Sequence, residues 1–335
     1  MNRENRNLDR KWISKLKHAE IQPVFIMGDH RTGTTILTKL LQATQCFNTI
    51  SVYHVLNSNR LLHNYETQTV DEEKNKLSKL FIKKGLQQRG IDTIRITPDT
   101  PEEYSFIFEK TGYRPQLNPN NRVDLLTLCK KVAFTGAADR PVLLKNPWDY
   151  LNFMYVKEAF PNSRFIFIHR HPIRTANSQL KATRAIFDKR NEYIALVVGW
   201  YDKLFHQPIR RYFFKLMFSS LFDLGLRITL KHICKANKYY LSNISKLPTP
   251  DYTNICYENL CATPEKIVGG ILNWLQLNQR THVSFGDYIM SRNGPLLPDI
   301  KKKHKKICQK TKIYLNEFGY NCHDPLSMPA DKECK

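Results

Sequence analysis

The chain has 335 residues, of which 41% are hydrophobic and 11% aromatic, which is enough apolar material for a packed core and excludes an intrinsically disordered protein. Its formal net charge of +22 indicates anionic partners, such as a phosphorylated cofactor, an anionic membrane, an acidic glycan or nucleic acid. The first residues are polar and every window long enough to span a bilayer contains charges, so we expect no signal peptide and no transmembrane segment. This composition predicts a cytoplasmic protein, with a peripheral membrane contact as an open possibility.

The eight cysteines lie at irregular spacings and include no Cys-x-x-Cys pair. Such spacing favours neither a disulfide framework nor a zinc site, and we expect no bound metal. Four of the cysteines lie within apolar runs, which predicts buried thiols in a reducing compartment: Cys46, Cys129, Cys234 and Cys256.

Short apolar runs alternate with helical patterns along the chain. The run 23–27 predicts a strand buried on both faces, and a helix with one apolar face follows it. Further strands are predicted at 142–145, 164–169 and 253–257, and helices at about 149–159, from 172 and from 264, where Thr263 is the expected N-cap. Strands that alternate with helices predict an α/β fold, in which a parallel β-sheet is flanked by helices on both faces.

No linker or internal repeat divides the chain. We therefore predict a basic N-terminal tail over 1–20, a single domain over 21–320 and a C-terminal tail over 321–335. The densest charge on the domain is the lysine-rich run 301–306.

The segment 28–35, Gly-Asp-His-Arg-Thr-Gly-Thr-Thr, joins the first strand to its helix. Its two glycines let the backbone wrap tightly and turn N–H groups inward, and the helix N-terminus adds the positive end of its dipole. Such a loop is typical of phosphate or sulfate binding. It is similar to the nucleotide loop Gly-x-x-x-x-Gly-Lys-Ser/Thr, but Thr34 occupies the lysine position and Arg31 supplies a charge from within the loop.

A strand, then Arg-Thr-Gly-Thr-Thr at 31–35, then an amphipathic helix resembles the 5′-phosphosulfate loop of sulfotransferases that use 3′-phosphoadenosine 5′-phosphosulfate (PAPS). The strand at 164–169 adds a second resemblance, because it leads into Arg170-His-Pro and is followed by Ser178. In that family an arginine and a serine at this spacing grip the 3′-phosphate of the cofactor. An arginine fork at a strand end and a hydroxyl two helical turns later can converge on one phosphate.

Two further segments resemble the same family. Leu-Lys-Asn-Pro at 144–147 is similar to the Lys-Ser/Asp-Pro segment of the branch that contains tyrosylprotein sulfotransferases and many bacterial members. Tyr-Glu-Asn-Leu at 257–260, followed by Thr-Pro-Glu, is similar to an element whose tyrosine lies near the nucleotide. The resemblance implies a P-loop-like sulfotransferase fold, with a cofactor core over 21–60 and 140–278 and acceptor-side helices over 61–139 and 190–245.

The resemblance also implies an activity: in-line transfer of a sulfuryl group from PAPS to a hydroxyl or amine, leaving 3′-phosphoadenosine 5′-phosphate (PAP), without a metal. It assigns Lys145 and Arg31 to catalysis, where they neutralise charge on the transferring group. The residues that it assigns to cofactor binding are Arg31, Thr32, Gly33, Thr34, Thr35, Arg170, Ser178 and Tyr257. Three further histidines in these motifs are expected to bind or orient phosphate: His30, His169 and His171.

The general base is the point at which the match fails. The tyrosylprotein branch carries an acidic residue about twenty positions after the loop arginine, and the segment 49–56 contains no carboxylate. His54 lies at that place, and a histidine near its reference pKa can accept a hydroxyl proton. His54 is therefore the candidate base, with Glu102 and Glu103 as the next candidates and a purely structural His54 as the alternative.

Two other functions stay open on the sequence alone. A P-loop kinase or NTPase would require lysine at position 34 and a strand-end aspartate for magnesium. A catalytically inactive binder of nucleic acid or a membrane surface would account for the charge and for the aromatic, basic stretch 210–218. For the enzyme, we expect a glycan, lipid, protein tyrosine or small alcohol as acceptor, and no nucleic-acid partner. The oligomeric state is left open.

Overall fold

The apolar runs at 23–27, 142–145 and 164–169 form the central strands of a parallel sheet in the computed structural model, which describes residues 7–86, 88, 95–109, 115–221, 223–281, 283–289, 294–325 and 329. The strands are β1 (Pro23–Met27), β2 (Asn48–Thr49), β3 (Val142–Lys145), β4 (Arg164–His169) and β5 (Tyr252–Cys256). They lie in the order β2-β3-β1-β4-β5, and each neighbouring pair is parallel. The α/β fold is confirmed.

Helices flank this sheet. In the first half of the described chain they are α1 (Thr34–Ala43), α2 (Val52–Leu56), α3 (Leu61–Glu66), α4 (Val70–Lys83), α5 (Phe106–Glu109), α6 (Arg122–Thr135), α7 (Phe153–Ala159) and α8 (Pro172–Asp188). In the second half they are α9 (Glu192–Val197), α10 (Gly199–Phe205), α11 (Pro208–Met217), α12 (Leu224–Asn243), α13 (Tyr257–Ala262), α14 (Pro264–Trp274), α15 (Pro298–Lys302) and α16 (His304–Glu317). None of these helices combines the length and the apolar character that crossing a bilayer requires.

Both faces of the sheet are buried. Phe25 of β1 stacks on Phe165 of β4, with ring centroids 5.7 Å apart, and belongs to the hydrophobic core on one face. Ile26 points to the opposite face, where it shares a second core with Leu37 and Leu40 of α1. Burial on both faces is the reason that these strands are continuous apolar runs rather than alternating ones.

The structure differs from the prediction where the local signal is weak. β2 consists of two polar residues with no apolar periodicity, and it was not predicted; it pairs with the start of β3. β5 begins and ends one residue earlier than predicted, so Tyr257 is the first residue of α13. The helix predicted over 149–159 is divided at Asn152 into a 3₁₀ turn (Pro147–Leu151) and α7. The Thr263 side chain makes no cap hydrogen bond to α14 and instead donates to the Asn259 carbonyl.

The described part of the predicted N-terminal tail is packed against the body of the protein. Asp9 is buried, pairs with Lys131 at 2.6 Å, and accepts hydrogen bonds from the backbone N–H groups of Leu61 and His63. A buried carboxylate requires such partners, and these three come from α3 and α6. Residues 7–16 are therefore an integral part of the structure and not a loose tail.

The cysteines follow the prediction only in part. Cys46, Cys129 and Cys256 are buried, as predicted, but Cys234 is half-buried. Cys308 and Cys322 form a disulfide, which the irregular spacing did not predict and which ties the segment after α16 to that helix.

Three residues of types that bind metals lie together at this disulfide. The ligand atoms of His304, Cys308 and Cys322 are within 4.8 Å of one another. Because the two sulfurs are bonded to each other, the pair of thiolates that a metal would use is absent from this arrangement.

Candidate active site

The sheet topology brings the predicted motifs to one edge. β1 lies between β3 and β4, and the chain continues to β2 on one side and to β4 and β5 on the other. In parallel sheets, ligands bind outside the carboxyl ends of the strands where these directions diverge. The loop after β1, Lys145 at the end of β3 and Arg170 after β4 all lie at that place.

Close approach to neighbouring elements shapes the loop 28–33. Gly33 has a φ of 109° and lies so near α13 that a Cβ there would be 2.3 Å from the Tyr257 ring. A Cβ on Gly28 would be 2.6 Å from the Thr32 hydroxyl and 2.9 Å from the Ile168 carbonyl of β4. Only glycine fits both positions, so the loop backbone can wrap tightly before α1 begins.

Asp29 holds the loop in this shape. Its buried carboxylate accepts hydrogen bonds from the His30 N–H (2.7 Å), from Gln179 Nε2 (3.0 Å) and from His232 Nε2 (2.9 Å). Burial opposes ionisation of Asp29, but His232, His30 and Gln179 together outweigh it, so the pKa of Asp29 lies below its usual value. The hydrogen bond to Asp29 in turn raises the pKa of His232. This network was not predicted from the sequence. Gln179 could have been considered because it is next to Ser178, whereas no sequence pattern in α12 distinguishes His232.

The residues predicted for the 3′-phosphate converge beside the loop. Arg31 Nε donates to Ser178 Oγ at 3.1 Å, and Arg170 donates to the Arg31 carbonyl at 2.9 Å. The Arg170 guanidinium also lies over the Tyr257 ring, 4.2 Å from its centroid. Its Nε is buried and has no hydrogen-bond partner among the described residues. An arginine N–H left in this state is suited to an anionic ligand.

Lys145 faces the other end of the loop. It is 1% exposed, and its Nζ lies 3.4 Å from Thr35 Oγ1 and 3.4 Å from Glu103 Oε1. The backbone N–H of Tyr104 donates to the Lys145 carbonyl, which holds Glu103 against the end of β3. A cation, a hydroxyl and a carboxylate therefore meet where the loop enters α1.

His54 has a different environment. Its Nδ1 accepts a hydrogen bond from the Ser51 backbone N–H at 3.1 Å and lies 2.9 Å from Ser51 Oγ, forming a capping box at the start of α2. Acceptance at Nδ1 places the ring proton of the neutral histidine on Nε2. Burial, followed by the charge of Lys74, lowers the pKa of His54 to about 4. The ring is neutral, as a base must be, but its proton-accepting nitrogen is already engaged.

The two glutamates beside β3 also differ. Glu102 is buried and accepts hydrogen bonds from the Glu103 N–H (2.8 Å) and from the Tyr193 hydroxyl. Glu103 is partly exposed and contacts Lys145. Of the three candidate bases, Glu103 is the one seen in contact with a predicted catalytic residue.

The remaining histidines of the motifs separate into two groups. His169 lies in the core, between the Tyr314 hydroxyl (2.9 Å) and Asn254 Oδ1 (3.1 Å), and His171 caps α8 and contacts the Asn321 carbonyl. Both ring nitrogens of each are thus used inside the protein. His30 instead packs edge-on against Trp148, 4.5 Å between centroids, with a buried Nε2 that has no hydrogen-bond partner among the described residues.

We expect the buried neutral histidines to make stability depend on pH. Burial lowers the pKa of His169 to about 3, below its ordinary value of 6.5. The unfolded chain then binds a proton in this range that the folded chain does not, so stability is full above pH 6.5 and falls as the pH is lowered. Between about pH 7 and pH 5, the free energy of unfolding of His169→Gln should fall by about 2 kcal/mol less than that of the unaltered protein. Urea unfolding of both proteins at the two pH values measures this difference. An equal fall in the two proteins would contradict the prediction.

Comparison with known proteins identifies the family and the fold. A family model described as the sulfotransferase family matches residues 23–281. Sulfotransferase STF9 from Mycobacterium avium has a similar structure, with a TM-score of 0.63 and 13% identity over 93% of this chain and 80% of that one. Sulfotransferase STF1 from Mycobacterium tuberculosis H37Rv has a TM-score of 0.59 and 13% identity over 90% of this chain and 79% of that one. A search among curated protein sequences gives no match. Since the family model covers most of the chain, this protein belongs to the sulfotransferase family.

Proposed function

We propose that this protein transfers a sulfuryl group from PAPS to a hydroxyl or amine of an acceptor. The observation that supports it most is the convergence of Arg31, Arg170 and Ser178 on one side of a loop that opens a helix. The buried Nε of Arg170 has no hydrogen-bond partner in the part of the chain that the structure describes, and the backbone at Gly33 wraps tightly because the residue is glycine. Both features fit a bound anion. Thr34, in place of a P-loop lysine, argues against phosphoryl transfer from a nucleoside triphosphate.

The residues divide between the two ends of the donor. The backbone N–H groups of 33–35 would hold the 5′-phosphosulfate, and Arg170 with Ser178 would hold the 3′-phosphate. The Arg31 side chain, whose Nε donates to Ser178 in this structure, would reach the 5′-phosphosulfate from the same side. The Tyr257 ring holds the Arg170 guanidinium in place through a cation–π contact. When bound, PAPS supplies an activated sulfuryl group whose leaving group is the 5′-phosphate of PAP.

The chain's own side chains would then act by position and charge. Glu103 would accept the acceptor's proton as the acceptor oxygen or nitrogen bonds to sulfur and the bond from sulfur to the phosphate oxygen breaks. Lys145, 3.4 Å from Glu103 and from Thr35, would neutralise the negative charge that passes to the leaving phosphate. Preorganised charges in a water-poor site are an effective way to stabilise such a transition state.

We expect Arg170→Ala to weaken PAP binding by roughly 2–3 kcal/mol, the contribution of charge-assisted hydrogen bonds to a phosphate. Adenosine 5′-phosphate, which lacks the 3′-phosphate, should lose far less affinity. Calorimetric titration of both nucleotides measures the difference, with Lys181→Ala as a control that removes a charge from the exposed side of the same helix. Equal losses for the two nucleotides would remove Arg170 from the 3′-phosphate site.

The proposal as a whole is tested in two steps. PAP should raise the melting temperature of the protein, whereas ATP with magnesium and a short oligonucleotide should not. Incubation with PAPS and fractionated cell extract should then yield a species that gains the mass of a sulfo group. Stabilisation by ATP or oligonucleotide but not by PAP would contradict the proposal, and so would PAP binding without any sulfated product.

A further inference from the structure

Helix α11 presents an apolar face to solvent. Ile209, Tyr212 and Phe213 are 85%, 68% and 61% exposed, and their i, i+3, i+4 spacing places them on one side of the helix. A surface helix normally buries such a stripe in the core. None of the residues of α11 is buried.

The opposite side of α11 attaches it to the protein. Phe214 stacks on Phe187 of α8 with ring centroids 5.3 Å apart, and Lys215 pairs with Asp188 at 2.6 Å. Arg211 donates to the Asp188 carbonyl at 3.3 Å. The helix therefore contacts the protein through the face that carries Arg211, Phe214 and Lys215. The apolar stripe on the other side is directed away from the body of the protein.

The exposed apolar surface continues beyond α11. Leu221 and Leu224 are 78% and 45% exposed and line a surface cleft together with Arg227 and Lys302. Close packing joins the two parts, because a Cβ on Gly225 of α12 would lie 2.8 Å from the Phe218 Cα that follows α11. We call this surface the docking face, and it consists of Ile209, Tyr212, Phe213, Leu221 and Leu224.

A strong positive charge surrounds the docking face. Segments 199–231 and 298–306 carry eleven Lys and Arg residues against three acidic ones. Each of these three carboxylates already forms an ion pair, Asp202 with Arg190, Asp223 with Lys303, and Asp299 with Arg184. The lysine run 301–306 adjoins the cleft through Lys302. Lys215 and Lys303 are ion-paired, with Asp188 and Asp223. The other nine Lys and Arg residues form no ion pair within the described part of the chain, so their charge is available to a partner outside the protein.

We propose that the docking face binds the surface of an anionic lipid bilayer. Aliphatic and aromatic side chains on one side of a helix, with Lys and Arg around them, are the combination that inserts below lipid headgroups while its charges contact anionic lipids. Nucleic acid offers no apolar layer for Ile209 and Leu221. A second copy of the chain would bring another net charge of +22 against the same face.

The test is flotation with vesicles of phosphatidylcholine alone and with about 30 mol% phosphatidylserine. The full chain should bind the anionic vesicles at least about tenfold more strongly than the neutral ones, and about 0.5 M salt should weaken that binding. The combined variant Ile209→Ser, Tyr212→Ser and Phe213→Ser should lose at least about tenfold in vesicle affinity. Its urea unfolding and its PAP binding should match those of the unaltered protein, so failure here is distinguishable from failure of the proposed reaction.

The matched control is Ile82→Ser with Ile313→Ser, which removes two equally exposed apolar side chains, 78% and 75%, from other helices. This variant should bind vesicles as the unaltered protein does. Equal binding to neutral and anionic vesicles, unchanged binding of the triple variant or an equal loss in the control would overturn the proposal. A dimer in solution that the triple variant converts to monomer would overturn it in favour of a second copy as the occupant.

Discussion

Lys145→Met is expected to lower turnover by about two orders of magnitude or more while leaving PAP affinity within a few fold. The reason is the position of Nζ, which is buried between Thr35 and Glu103 where the loop enters α1. In the proposed function this is the place where the sulfuryl group is transferred. A charge at that point acts mainly when negative charge develops, so its loss raises the barrier more than it weakens ground-state binding. Methionine is unbranched and nearly as long as lysine, and it removes the charge together with the hydrogen bond to Thr35.

Turnover with saturating PAPS and an acceptor that the protein is found to sulfate measures the first effect, and calorimetric PAP binding measures the second. Lys130→Met is a suitable control, because this lysine lies on α6 and donates to the Leu16 carbonyl, away from the loop. A collapse of PAP affinity with unchanged turnover per bound donor would show that Lys145 is a binding residue and not a catalytic one.

Glu103→Gln is expected to lower turnover by roughly 10²–10⁴-fold, the usual contribution of a general base. Glutamine keeps the shape and the contact with Lys145 but cannot accept a proton. Binding of PAP should change little, since among the described residues Glu103 contacts neither Arg170 nor Ser178, which are assigned to the 3′-phosphate. A normal rate for this variant would exclude Glu103 as the base.

His54→Ala provides the opposing measurement. If His54 is a structural cap, its loss should reduce stability by about 1 kcal/mol and leave turnover per folded molecule nearly unchanged. With its pKa lowered to about 4, His54 stays neutral as the pH falls through its ordinary value of 6.5, so it should produce no loss of rate near pH 6.5. A loss of 10²–10⁴-fold in His54→Ala, with a normal rate in Glu103→Gln, would instead establish His54 as the base.

The three central strands of the sheet and the loop after β1 could be predicted from the sequence. The bounds of β1, β3 and β4 agree with the predicted strands, because strands buried on both faces require continuous apolar runs. The loop could be predicted because its glycines, arginine and threonines lie within one short segment. A turn that leads into a helix depends only on neighbouring residues. Arg170 and Ser178 were predicted from the family resemblance, and the start of α8 sets their spacing.

Which distant residues are in contact could be learned only from the tertiary structure. Asp29 and His232 are 203 positions apart, Glu103 and Lys145 come from different segments at the sheet edge, and Cys308 bonds to Cys322 across the end of α16. His54 lies at the sequence position expected for the base, yet its Nδ1 belongs to the cap of α2. Local patterns report which residues favour a helix, strand or turn, whereas a contact between distant side chains depends on the path of the whole chain. The same path turned the apolar stripe of α11 outward, although its spacing alone is that of a helix packed on a core.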